Sequence, residues 1–217
     1  MEKNISLAKY LLVCAIGFSL AGVLWGWVLY SELPDLEYPF HFMAIVIMGL
    51  FGGVSLVWFN KSVKQISKAV LAGLLGYGVG FVGMAFFVYP SSLYGTFILS
   101  IVASSFIKPE YINLDPNIGV GVFWLSFMFI GAVIGLFYAL FLKLKNWSLI
   151  WRGGLGFALG SLISPIIGNL VGNTFDSLII SYLITFSLIG LILGLFLSWG
   201  VYLSLRGTNK ANDEAIS

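Results

Sequence analysis

SLIISYLITFSLIGLILGLFLSWGVYLSL, residues 177–205, contains no Asp, Glu, Lys, Arg or His. A helix rises about 1.5 Å per residue, so roughly 20 residues cross a hydrocarbon core of about 30 Å. This run exceeds that requirement. Uncharged runs of similar character precede it at 10–30, 42–60, 69–87, 118–142 and 153–175. The reading is an all-α integral membrane protein, a six-span glycine-rich bundle with spans at about 10–30, 41–60, 69–89, 118–142, 153–174 and 178–204. Residues 1–217 form a single transmembrane bundle, because the connecting segments are too short for a separate soluble domain.

Composition agrees. The chain is 59% hydrophobic and 9% charged, against about 25% charged in a soluble domain, and its mean hydropathy is +1.01. Lys3 and Lys9 ahead of the first run resemble a signal peptide, but the run is too long and lacks a small-residue cleavage pattern. It is expected to be a retained span. Cys14, the single cysteine, is preceded by Val13, which makes a poor lipoprotein site; no intramolecular disulfide can form.

Basic residues set the expected orientation. With the amino terminus inside, Lys3, Lys9, Lys61, Lys64, Lys68, Lys143, Lys145, Arg152, Arg206 and Lys210 are cytoplasmic and Lys108 alone is external. Glu32, Asp35, Glu37, Glu110, Asp115 and Asp176 fall outside. The positive-inside rule therefore predicts a multi-pass cell-membrane protein with both termini cytoplasmic. Residues 93–107 are apolar but short for a span, and crossing there would put Lys143, Lys145 and Arg152 outside. They are read as an external interfacial or re-entrant segment. Trp25, Trp27, Trp58, Trp147, Trp151 and Trp199 fall near span ends, where indoles anchor at the interface. The Asn4, Asn60 and Asn146 sequons lie on the cytoplasmic side and should carry no glycan.

The 26 glycines are patterned. GxxxG pairs occur at Gly22/Gly26, Gly49/Gly53, Gly131/Gly135 and Gly190/Gly194, and span three carries Gly73, Gly76, Gly80 and Gly83 on one face. Span five repeats the device with Gly153, Gly156, Gly160, Ser164 and Gly168. Small residues allow close backbone approach where lipid supplies no hydrophobic drive for association. Gly73, Gly76, Gly80, Gly83, Gly156 and Gly160 are accordingly read as helix-packing residues. Such faces also suit a membrane-protein partner or a second copy of the chain. Spans two and three share with spans four and five a basic residue, Lys68 or Arg152, followed at plus eight and plus twelve by small residues. This suggests a parallel hairpin repeat.

No Asp, Glu, Lys, Arg or His lies in the middle of a predicted span, which argues against proton relays, voltage sensing and carboxylate-coupled transport. One histidine cannot supply a bis-His haem or an H-E-x-x-H site, and no G-x-S-x-G element is present. The expectation is a non-enzyme, with no catalytic or metal residues and no cofactor indicated. The bilayer is the expected surrounding, and nothing points to nucleic acid.

The remaining polar residues gather toward the outer surface. Ser161, Asn169, Asn173 and Asp176 fall within roughly 120° of one another when span five is wound as a helix. Pro165 among them should disturb the carbonyl of Ser161 and kink the span. Amides and a freed carbonyl there could hold a polar solute or a partly dehydrated ion. The competing reading is structural, with the asparagines bonding neighbouring helices and Asp176 capping span six. Glu37 and His41 form a second candidate pair four residues apart, although Pro39 between them suggests a helix start.

The leading expectation is a non-enzymatic permeation or small-solute transport component. The alternative is a structural or assembly subunit of a membrane complex. In size and topology the chain resembles the vitamin-binding subunits of energy-coupling-factor transporters, which implies cytoplasmic ends and external loops over a site. Ala15 is followed four residues later by Ser19, a departure from the AxxxA pair of that family's first span.

Overall fold

The computed structural model describes residues 5–30, 37–60, 62–83, 120–144 and 147–214, with side chains described over 5–28, 30, 46–59, 62–83, 125–144 and 147–205. Six helices are described: α1 (Leu7–Tyr30), α2 (Glu37–Val57, followed by a 3-10 turn at Trp58–Asn60), α3 (Val63–Gly83), α4 (Val120–Phe141), α5 (Ser148–Thr174) and α6 (Leu178–Glu214). Four of them, α1, α3, α5 and α6, are long and apolar enough to cross a membrane. Shorter apolar helical stretches, Val46–Val57 and Leu125–Phe141, lie within α2 and α4. The proposed segment at 93–107 and the predicted end of span three at 84–89 lie outside the described residues, as do the side chains of Glu37 and His41.

Hydropathy located the helices but misjudged their ends. α3 starts at Val63 and α5 at Ser148, ahead of Lys68 and Arg152, because long basic side chains can extend toward water without breaking a helix. α6 continues past Leu205 to Glu214, since polarity alone does not stop a helix. α5 runs through Pro165 uninterrupted. Two helices end in the same way. Lys143 (φ 54°) and Asp176 (φ 47°) adopt the left-handed conformation. The next residue's N–H reaches five carbonyls back, Leu144 to Ala139 at 2.9 Å and Ser177 to Gly172 at 2.9 Å, the Schellman arrangement.

Each helix packs against its neighbours in sequence, and α6 closes onto α1. The six described helices form a ring, every adjacent pair antiparallel. In α3 against α4, for example, Gly76 faces Ile134 and Gly80 faces Ile130. Large aliphatic residues turn outward, as at Leu12, Ile16, Leu20 and Leu24 of α1, while Tyr10, Cys14, Phe18 and Trp25 of the same helix are buried. The small residues lie at the seams. This distribution suits a lipid surround, where the exterior is apolar and backbone proximity holds helices together.

The seams α2–α3, α4–α5 and α6–α1 are built alike. Residues 48–56 (MGLFGGVSL), 130–138 (IGAVIGLFY) and 189–197 (IGLILGLFL) carry glycine at their second and sixth places and are buried at the first, second, fifth, sixth and ninth. Each partner helix begins near a basic residue, Lys68, Arg152 or Lys9, with glycine at plus eight (Gly76, Gly160, Gly17) and a small residue at plus twelve (Gly80, Ser164, Ala21). The two-hairpin similarity thus extends to a third unit, divided between the last and first helices of the chain. The ring has three like units.

Candidate functional site

Tyr10, Cys14, Tyr77 and Tyr138 carry their polar atoms into the interior of the ring, where all four are buried. At the basic end, the Tyr10 hydroxyl donates to the Leu56 carbonyl at 2.6 Å, and the Cys14 thiol donates to the Ser55 carbonyl at 3.3 Å. The ring of Tyr10 packs against Tyr202 at 5.7 Å between centroids and against Phe59 at 6.1 Å. These groups come from α1, α2, its 3-10 turn and α6. Beside Tyr10 is a cavity of about 50 Å³, lined also by Phe59, Gln65, Leu144 and Leu205. A water needs about 10–15 Å³ of such space, so a few waters fit.

Farther in, satisfaction fails. Among the described residues the hydroxyls of Tyr77 and Tyr138 and the indole N–H of Trp25 are buried without hydrogen-bond partners. The Tyr138 hydroxyl lies against Gly73, 2.8 Å from where a Cβ would stand. Tyr77 is one turn along the same helix, edge-on to Phe157 with centroids 6.4 Å apart. Trp25 sits between Phe81 at 6.1 Å and Phe186 at 4.7 Å. An unpaired buried hydroxyl or N–H costs about 1–3 kcal/mol, so three of them in one interior form a feature needing a chemical explanation.

The polar residues of span five do not converge. Ser161 is buried and returns its hydroxyl to the Ala158 carbonyl at 2.9 Å. Asn169 accepts a bond from Ser181 of α6 at 2.8 Å, while Asn173 and Asp176 are exposed. Asp176 follows the end of α5 in the left-handed conformation. None of these four residues lines the cavity beside Tyr10. The packing glycines are all buried at seams. Gly73 meets Gly49; Gly76, Gly80 and Gly83 meet Ile134, Ile130 and Phe129 of α4; Gly156 and Gly160 meet Phe196 and Ile189 of α6. Among the described residues no cluster of three His, Cys, Asp or Glu side chains could hold a metal ion.

Trp25 corrects the reading of the tryptophans as anchors, because it is 5% exposed inside the ring whereas Trp27 is 54% exposed outside it. The signal for the interior group was present. Tyr10, Tyr77 and Tyr138 lie in apolar runs on the faces opposite the leucines, and Tyr77 stands within the glycine stripe of α3. By length and composition four of these helices suit a multi-pass helical membrane protein. No protein-family model, curated protein or solved structure matches the chain.

Proposed function

We propose that the protein is a six-span, non-enzymatic membrane protein with both termini cytoplasmic, and that it passes or binds a small uncharged solute along the axis of its ring. The observation that carries this reading is the set of donors buried without partners among the described residues, Tyr77 Oη, Tyr138 Oη and Trp25 Nε1, inside a ring whose basic end holds the cavity beside Tyr10. Neutral donors and acceptors in sequence can replace part of a hydration shell without the cost of burying charge.

Reconstituted liposomes test it through osmotic flux of water and small polyols. Changing Tyr77→Phe and Tyr138→Phe together removes two hydroxyls while keeping both rings, and should abolish flux or ligand-induced stabilisation with folded yield unchanged. Flux equal to that of protein-free liposomes across such a panel sinks the axial reading. Asn169→Leu and Asn173→Leu place the site at the outer end of α5 instead if they, and not the tyrosine pair, remove the response. Orientation is tested separately, since cysteines at Ser62 and Ser148 should resist an impermeant thiol reagent added outside intact cells while one at Ser31 reacts.

A second reading, an assembly subunit, is supported by an apolar groove of about 520 Å³ on the outside of the ring between α1 and α2, lined by Val13, Ile16, Leu20, Leu50, Phe51 and Trp58. A stoichiometric partner in purifications from native membranes, with no response to any solute, would favour it over permeation.

A further inference from the structure

Arg152 is the one basic side chain with a relative exposure as low as 8% among the described residues. Its guanidinium carbon lies 4.5 Å from the ring centroid of Trp199 on α6 and 5.2 Å from that of Trp151. Gly200 admits the side chain, since a Cβ there would stand 3.3 Å from Arg152 Cδ. Indoles can take the faces of a guanidinium, but its N–H groups lie in its plane and require acceptors. Nε and Nη1 are buried and have none among the described residues.

A second feature stands beside the first. α5 is 27 residues long, and at its start Trp147 supplies no side-chain cap. Helical side chains lean toward the amino terminus, so Arg152 overlies the first turn of α5. The positive end of the helix and a guanidinium with free donors therefore meet at one place. Among the described side chains the sole carboxylate, Asp176, is at the opposite end of α5. Trp151 and Trp199 are exposed on the outside of the ring, as are Leu155 and Leu203 one turn along from them. The surface beside Arg152 is thus apolar, and it adjoins the end of the bundle that bears Lys9, Lys64, Lys68 and Lys143.

We infer that Arg152, flanked by Trp151 and Trp199 at the start of α5, binds the phosphate of an anionic lipid headgroup. A phosphate accepts two parallel N–H bonds from one guanidinium edge, and the flanking indoles occupy the level at which headgroups meet acyl chains.

The full chain in neutral detergent, titrated with phosphatidylglycerol or phosphatidylcholine and followed by native mass spectrometry and melting temperature, tests this. Phosphatidylglycerol should bind about tenfold tighter, a preference lost in Arg152→Gln, reduced in Trp199→Leu and kept in Lys64→Gln. Should Arg152→Gln fail to fold, Trp199→Leu decides, because it keeps the charge and removes one flanking ring. Inorganic phosphate alone raising the melting temperature through Arg152 would retain the phosphate site and make free phosphate its ligand. Equal binding of the two lipids, a preference surviving both site variants, or one lost equally in Lys64→Gln overturns the proposal.

Discussion

The seam between α4 and α5 and the seam between α1 and α2 use the same residue type to opposite effect. At α4–α5, a Cβ on Gly131 would fall on the Gly153 carbonyl, one on Gly153 would fall on the Gly131 carbonyl, and one on Gly135 would fall on the Leu149 carbonyl. Backbone lies on backbone. At α1–α2, Gly17 faces the Ser55 side chain and Gly52 faces the ring of Phe18, 2.6 Å from its Cβ position. Side chains intervene there, and the outer groove of about 520 Å³ lies along this seam. Glycine permits contact, but the residue opposite decides whether backbones meet.

The largest effect should follow from a bulky residue at the tight seam. Gly131→Leu would drive a branched side chain into the α5 backbone, and destabilisation of about 3 kcal/mol or more is expected. Loss of folded yield or a large fall in melting temperature in detergent checks it, and a near-neutral result would break the contrast between the seams. Gly17→Ala at the looser seam should cost about 1–3 kcal/mol, because Ser55 Cβ cannot rotate away and α1 must shift toward the groove. If Gly17→Ala proves as damaging as Gly131→Leu, the groove side is not the looser one.

The smallest effect sharpens the comparison from the other direction. Gly78 lies between Gly76 and Gly80 in sequence, yet a Cβ built on it meets nothing within 4 Å. Gly78→Ala should therefore raise stability by about 0.5–1 kcal/mol through reduced backbone entropy. A fall in melting temperature would mean that this face of α3 is covered by something in the membrane. The three results together order the glycines by what stands opposite them rather than by their spacing.

The interior follows the same logic. Ser161, Asn169 and Asn173 looked convergent because winding a helix projects residues onto a circle and ignores the neighbours. In the fold, Gly168 and Gly172 hold α5 against Thr185 and Ser181, and that seam bonds Asn169 to Ser181, while Ser161 turns back to its own helix and Asn173 is exposed. Tyr77 and Tyr138, on helices distant in sequence, are brought into one interior by the α3–α4 seam. No spacing rule within a single helix could have paired them.

Hydropathy and charge alone pointed to helices long and apolar enough to cross a membrane and to most of the cations at one end of them, where the described Lys9, Lys64, Lys68, Lys143 and Arg152 stand. Those properties are sums over residues, and the free energy of leaving water is close to additive along a span. The glycine faces were legible for the same reason, as short-period patterns on one helix. Ring closure was not, because α6 meets α1 only through contacts between the two ends of the chain, and the third repeat unit is hidden in the linear order. The unpaired donors of Trp25, Tyr77 and Tyr138 and the shielding of Arg152 were likewise decided by tertiary structure alone. Whether a polar atom finds a partner depends on which helix packs opposite it, and that is a property of the assembled bundle.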